Sequence, residues 1–461
     1  MFHRPNAANF FRSDLVLSAF LSVIVLMVCS SANGQTNDDD DQRYGRAVGG
    51  ISIDVDGLLS GARPDALGTL GRLRSQAMQK IPDAMNATAD MRKISLRQLE
   101  AALEDCVNNN KPITDEIKYL AGLQRIRYVF VYPEQKDVVL VGVGEGWKVD
   151  AKGNVVGIES GRPAMLFDDL LVALRTARGA AQGGITCSID PTPEGLQRMS
   201  RITSGPVQNG NQAEAFAAAR AKALGMQQIS IHGVPATSHF ARVLVAADYR
   251  MKRLAMNFEP SPVRGLPSYL QMVSPRARGV QTPRFWLEPS FEALLHDADG
   301  LAFELCGSSV KAMTEEDYLT TTGNIQHSGK ASRTAQRWAD IMTKKYPESA
   351  VADPIFGELH NCMDMAVIGA LIVRENLLEK AGLSLPTMMD SAELKTDEFN
   401  APKQVESQGS VLRVKGRWVT TASGGVAINS WGIVEKLLRG SDKVATVRTE
   451  SVPAENVWWW N

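Results

Sequence analysis

ITCSIDPTPEGLQRM, residues 185–199, decides how the chain is read. Ile185, Cys187 and Ile189 alternate with Thr186, Ser188 and Asp190. Successive strand residues point to opposite faces, so this spacing predicts a strand with one apolar and one polar side. Thr192 follows as an N-cap, and Pro193 as a first helical residue whose fixed φ suits that position. The stretch therefore reads as strand, cap and helix start. It also places Cys187, Ser188 and Asp190 together, the residue types of a nucleophile with acidic support. Cys187 shares the apolar side with Ile185 and Ile189, which is the setting of a buried thiol. Ser188 and Asp190 are polar groups at a strand end, where sites of α/β proteins are often built.

The same reasoning extends outward. GGISIDVDGLLSGA (49–62) predicts a strand and a tight turn, and RYVFVY with DVVLVGV (127–143) a hairpin. WKVD and NVVGIES around residue 151 read as a second hairpin. Ser95 with Gln98 forms a capping box before a helix, and Thr114 caps a second, DEIKYLAGL. DDLLVALRTAR (168–178) carries acids in its first turn and arginine in its last, as the helix dipole favours. Phe240, Val243, Leu244, Ala247, Met251, Leu254 and Ala255 share one face of a helix over 238–256. A helical pair is expected at 331–381 and a hairpin at 410–428. The fold class is mixed α+β: hairpins and small sheets packed with amphipathic helices, in two domains.

The ends of the chain speak to its destination. Arg4 and Arg12 precede an apolar run, Leu15 to Cys29, and then the small residues Ser30, Ser31, Ala32 and Gly34. That order predicts a secretory signal peptide over 1–34. A lipoprotein acceptor at Cys29 and an uncleaved anchor are the alternatives, with Val28 standing where a lipoprotein wants a small residue. QTNDDDDQR begins a solvated acidic tail over 35–44. About 425 residues then remain, enough for two or three domains. The expected division is an N-terminal α/β domain at 45–205, a linker near SGPVQNGNQ, a C-terminal α/β domain at 212–440 and a tryptophan-rich tail at 441–461. AVIGALIV (366–373) is too short to span a bilayer, so no transmembrane span is expected after signal cleavage. The formal net charge is −1, with no basic stripe, and nucleic acid is not an expected partner.

KYLAGLQRIRYVFVYPEQKDVVLVG (118–142), GRPAMLFDDLLVALR (161–175), ITCSIDPTPEGL (185–196), ARVLVAADYRMK (241–252), TKKYPE (343–348) and FNAPKQVE (399–406) occur in this order. Together they resemble a family of exported proteins of planctomycete-type bacteria, known only as a domain of unknown function. The resemblance spans residues 45–440. It implies export and a mixed α and β fold, and it implies no activity.

GVGEGW (142–147) has Trp147 where a dinucleotide loop needs glycine, and GNIQHSGKAS (323–332) lacks the hydroxyl of a phosphate-binding loop, so no cofactor is expected. Cys187 with His232, His239 or His296 would make a hydrolase, but no local signature accompanies them. Glu358 with Cys362, and His360 with Asp364, lie four apart on two different faces of one helix, which is no metal site. DVDG and DADG read as Asx turns. Cys106, Cys187, Cys306 and Cys362 are widely spaced, and a disulfide among them is open in an oxidising compartment. Trp458, Trp459 and Trp460 would, if exposed, anchor an envelope protein or glycan; folded back, they would join the core. The expectation is an exported envelope or secreted binding or assembly protein, periplasmic or secreted, leaning against catalysis. The alternative is a hydrolase with a site near Cys187, Ser188, Asp190 and His239.

Overall fold

Helix Pro354–Arg374 is apolar on nearly every side, and the rest of the chain is arranged to cover it. By length and composition it would also pass for a membrane span, but 89% of its most apolar window is buried inside the protein. It is the core helix of a computed structural model that describes residues 51–61, 68–78, 80–202, 210–273, 283–319, 325–327, 329–394, 396–407 and 423–461. The signal peptide and acidic tail expected over 1–44, most of the 204–212 linker and the first arm of the expected 410–428 hairpin lie outside these residues. The described residues belong to one compact unit, Ala47–Asn461.

The strands, in chain order, begin with β1 (Ile51–Ile53), β2 (Leu58–Gly61), β3 (Ala89–Ser95), β4 (Tyr128–Tyr132), β5 (Asp137–Gly144) and β6 (Trp147–Val149). They continue with β7 (Val155–Gly157), β8 (Ile185–Pro191), β9 (Met226–His232), β10 (Pro283–Ser290), β11 (Ala293–His296) and β12 (Ala302–Cys306). The last are β13 (Ser309–Leu319), β14 (Ile325–His327), β15 (Gln404–Glu406), β16 (Ser423–Ile428), β17 (Leu438–Gly440) and β18 (Trp459–Trp460). Those hairpins join into two large sheets. One has nine strands in the order β1-β2-β15-β9-β8-β16-β10-β13-β14. The other has seven, β17-β11-β12-β4-β5-β3-β18, and β6 with β7 forms a separate ribbon. Both large sheets draw strands from either side of residues 205–212. The mixed α+β class is as the alternation of patterns indicates.

Ten helices are named here: α1 (Leu96–Asn108), α2 (Phe167–Thr176), α3 (Pro193–Ser200), α4 (Gly210–Leu224), α5 (His239–Ala255), α6 (Arg333–Ala352), α7 (Pro354–Arg374), α8 (Leu377–Ala381), α9 (Ser430–Leu437) and α10 (Lys443–Thr449). Helices α2, α5, α6 and α9 surround α7. Ile185, Cys187, Ile189, Phe285 and Leu287 of the nine-stranded sheet and Val129, Val131 and Leu140 of the seven-stranded sheet join the same apolar core. The helices therefore lie between two sheets. Tyr128, Phe130 and Tyr132 point the other way from β4 and are capped by Val444 of α10. Trp338 of α6 is fully buried against Phe285, with ring centres 4.5 Å apart.

Local signals were honoured where their partners are local. The Thr192 hydroxyl accepts from Gly195 N, and the Ser238 hydroxyl from Ala241 N. Asp54 Oδ1 accepts from Asp56 N and Leu58 N, so DVDG is an Asx turn; DADG instead closes through the backbone, Gly300 N donating to Asp297 O at 3.2 Å, while Asp297 Oδ1 accepts from Leu301 N and Ala302 N. Three further expectations need correction. The Ser95 hydroxyl accepts from Gln98 N, but Ser95 N donates to Trp458 O, so the reciprocal arm of the capping box is replaced by a distant strand. Thr114 makes no side-chain cap, and its helix is a single turn, Asp115–Lys118, ended by Leu120 and Ala121 at positive φ. The long helix after Pro354 stops at Arg374, where Asn376 turns left-handed at φ 52° before α8.

Gly424 and Gly425 open β16 between β8 and β10. A Cβ on Gly425 would lie 1.9 Å from Cys187 O, so only glycine lets these strands close. Gly425→Ala is expected to destabilise the fold by about 1–3 kcal/mol, as overpacking does. Gly440→Ala, where a Cβ meets nothing within 4 Å, should change little. Urea unfolding of both variants checks this, and equal midpoints would refute it.

Candidate functional site

The polar side of β8 faces away from the core. Thr186, Ser188 and Asp190 stand beside His232, Ser230 and Gln228 of β9. On the other flank Gly425 pairs with Ser188, Trp286 of β10 with Gly425, and Met313 of β13 with Trp286. A row Ser230–Ser188–Gly425–Trp286–Met313 therefore crosses five strands. Helices α5 and α6 pack on the opposite, apolar face, where Lys252 and Trp338 reach the sheet. Gly425 places no side chain beside the half-buried Trp286. Two basic side chains nearby are paired. Arg284 contacts Glu315 at 3.2 Å and lies over the indole, 5.6 Å from its ring centre. Lys311 meets Glu288 at 2.8 Å, and the Trp286 ring N–H donates to Glu288. Sequence reasoning singled out Ser188 and Asp190 but not Trp286. The signal was available, since Arg284, Trp286 and Glu288 share the polar parity of RFWLEPS.

Cys187 points inward and is 2% exposed. Burial pushes its thiol well up, and Asp248 adds to the effect. A thiolate nucleophile needs the reverse, a pKa drawn down by positive surroundings. Below it, Lys252 Nζ donates to Asp248 Oδ2 at 2.9 Å, Ile189 O at 3.0 Å and Gly424 O at 3.2 Å. This buried ammonium ties α5 to β8 and β16. Burial raises Asp248 to about 6 against the pull of Lys252.

The three histidines weighed with Cys187 have separate neighbours. His232 is exposed at the end of β9. The His296 Nδ1–H donates to Asp297 O at 2.7 Å. His239 opens α5, and its Nδ1 bonds Asp169 Oδ2 of α2 at 2.9 Å. Glu358 and Cys362 of α7 complete this second cluster. Burial raises Glu358 to about 7 against His239, and burial with Asp169 and Glu358 pushes the Cys362 thiol well up. Asp168 accepts from Asp397 N at 2.9 Å and is raised by burial to about 6. Burial disfavours charge on His239, but Asp169, with Glu358 and Asp168, outweighs it and raises the ring to about 8.

The other face of α7 holds a third cluster. Arg125 pairs with Asp364 and lies against His360. Ser308 Oγ accepts from Arg125 at 2.7 Å, donates to Asp364 Oδ1 at 2.6 Å and lies 3.2 Å from His360 Nε2. Serine, histidine and aspartate meet here, but the serine proton goes to the carboxylate instead of the imidazole, which reverses the order of a catalytic triad. Burial, with Arg125 and Arg162, holds His360 well below its ordinary value. Ser308 and Arg125 are far from His360 in sequence, and no pattern announces them. Glu358 with Cys362 and His360 with Asp364 thus have different partners on their two faces. Among the described residues no three His, Cys, Asp or Glu side chains are grouped to hold a metal ion. Cys106, Cys187, Cys306 and Cys362 are all free.

Trp459 and Trp460 form β18 and pair with Ile94 and Lys93. Trp458 and Trp459 pack on the main core, and Arg92 lies over Trp459. All three tryptophans are partly buried.

Residues 187–269 match the family described as a protein of unknown function (DUF1598). The matched stretch runs from Cys187 through β9 and α5 to Tyr269, and so carries Ser188, Asp190, Ser230, His239 and Lys252. No curated protein and no solved structure matches the chain.

Two outcomes are expected of these groups. Because His239 is raised from 6.5 to about 8, its pairing with Asp169 stabilises fully below pH 6.5 and is lost as pH rises through 8. His239→Gln should therefore cost of order 2 kcal/mol at pH 6 and much less at pH 9. Urea unfolding at the two pH values measures this, and an equal loss at both would mean the ring is neutral. Separately, a thiol reagent should label Cys106 and Cys306 in the native protein well before the buried Cys187 and Cys362. Peptide mapping after brief alkylation reads the order, and early modification of Cys187 would restore it as a nucleophile.

Proposed function

We propose that this chain is an exported binding or assembly protein of the cell envelope, whose ligand meets the polar face of the nine-stranded sheet. The observation that carries the reading is Trp286. A large aromatic group stands in a row with two serines, a glycine and a methionine, and the glycine places no side chain beside it. Aromatic rings of this kind supply binding area at low entropic cost. The basic and apolar order of residues 1–34 supports export. Trp458, Trp459 and Trp460 are the lesser candidates for the contact, because they are engaged with β3 and the core.

A second reading is favoured by one arrangement, the Asp169–His239 pair beside Glu358. An imidazole held by one carboxylate next to a second that titrates near neutrality is equipped for acid–base hydrolysis. Ser188 and Asp190 do not share that cluster's hydrogen bonds with His239.

Sedimentation of the mature protein with envelopes from its own cells tests the binding reading. Trp286→Ala is expected to shift the protein from the envelope pellet to the supernatant, and His239→Gln to leave it bound. Retention of Trp286→Ala in the pellet at the wild-type level would defeat the assignment to this face.

A further inference from the structure

We infer that the start of α5 binds an oxyanion, the carboxylate or phosphate group of a small ligand, through the guanidinium of Arg242 and the first two amides of the helix. The site is separate from the polar face of the nine-stranded sheet, and the inference does not depend on the binding reading above.

The first argument is an unanswered charge. Among the described residues three basic side chains are buried: Arg92, Arg242 and Lys252. Arg92 donates to Ala121 O, Ala87 O and Asn461 Oδ1, and Lys252 to Asp248 Oδ2, Ile189 O and Gly424 O. Arg242 is only 5% exposed, and among the described residues it has no hydrogen bond and no ion pair. Its Nε is buried without an acceptor. The guanidinium stands over the Phe399 ring, 4.7 Å from its centre. A ring face attracts a cation but leaves the N–H donors of the fork unanswered. Burial pulls the group down to about 10, so it is still charged at neutral pH. A desolvated cation without a partner is destabilising, and a bound anion removes that penalty.

The second argument is position. Arg242 is the fourth residue of α5, and long helical side chains lean toward the helix N-terminus. Phe399 marks where the guanidinium ends, because Phe399 N donates to Thr237 O, just before the Ser238 cap. The first amides of a helix have no acceptor within it and form the positive end of its dipole. Here the Ser238 hydroxyl takes Ala241 N, and Ser238 O takes Arg242 N. Among the described residues nothing accepts from His239 N or Phe240 N. Two amides and a forked cation at one helix end are the donor set that suits carboxylate and phosphate.

The third argument is access. His232, Gly233, Pro235 and Thr237, in the connection from β9 to α5, are exposed. The described residues bordering 62–67 and 408–422 are Gly61, Ser407 and Ser423, all toward the opposite, Met226 end of the sheet. On the α2 and α7 side, Asp169 and Glu358 already serve His239. The oxyanion therefore belongs on the Phe399 side of the helix start.

The full chain is titrated with inorganic phosphate, acetate and succinate by isothermal titration calorimetry at neutral pH, against sodium chloride at equal ionic strength. At least one of the three should bind where chloride does not, and the one that binds separates phosphate from carboxylate. Arg242→Met should weaken that binding tenfold or more. Arg242→Lys keeps the charge and loses the fork, so it should weaken binding as well, and it carries the test if the methionine variant does not fold. Lys443→Met, at an exposed position on α10, should leave binding as it is. Urea unfolding gives a second reading: the bound anion should raise the midpoint of the wild type and leave that of Arg242→Met where it was. If none of the three anions binds, or if both Arg242 variants bind like the wild type, the inference is overturned.

Discussion

A helix without a polar face must be enclosed, and α7 imposes that requirement on everything around it. Of its residues from Pro354 to Ile372, all but Glu358 and His360 are buried. Water cannot cover such a surface, so other elements do: α2, α5, α6 and α9 at the sides and the two sheets beyond them. Gly357 and Gly369 permit the closest of these contacts. A Cβ at Gly369 would come 2.7 Å from Ala173 O, and one at Gly357 2.6 Å from Pro163. The β–α–β layering follows from the need to enclose one apolar rod rather than from any single sheet.

Enclosure also explains the charged clusters. Asp364 is fully buried on α7, and Glu358 and His360 beside it are only partly exposed. Each needs a partner from another element, which is the general cost of burying an ionisable group. Arg125 and Ser308 serve Asp364; His239 and Asp169 serve the neighbourhood of Glu358. Strongly shifted groups are usual at active sites, but networks that only hold a core together shift them too. The Lys252–Asp248 pair belongs to the second kind. Its three hydrogen bonds fasten a helix to two strands and leave no donor of the ammonium for a ligand.

What the sequence made legible was local. Alternation placed Cys187 inside and Ser188 and Asp190 outside, Thr192 and Ser238 marked helix starts, and apolar spacing gave the buried face of α5. In each case cause and effect lie within a few residues. What stayed hidden was set by distance. Asp169 and His239 are 70 residues apart, and Arg125 and His360 are 235 apart. A histidine's partner decides whether it is base, ion pair or ligand, and no local pattern names that partner. Trp286 was hidden differently. Its parity on β10 was readable, but its neighbours Gly425 and Ser188 arrive through a parallel and an antiparallel pairing that only the assembled sheet reveals.

One edge of the seven-stranded sheet bears on how the protein is made. Trp459 and Trp460 pair with β3, and Arg92, fully buried, shares its hydrogen bonds among Ala121 O, Ala87 O and Asn461 Oδ1. Arg92 and Asn461 are separated by 369 residues. Synthesis proceeds from the N-terminus, so β3 leaves the ribosome long before its outer neighbour exists. Until then β3 presents an open strand edge, which invites pairing with other chains. This edge of the sheet closes only after a segment some 369 residues further along the chain has been made. The outer strand β18 therefore works as a timing device, delaying closure of this edge until a distant part of the chain arrives to pair with β3.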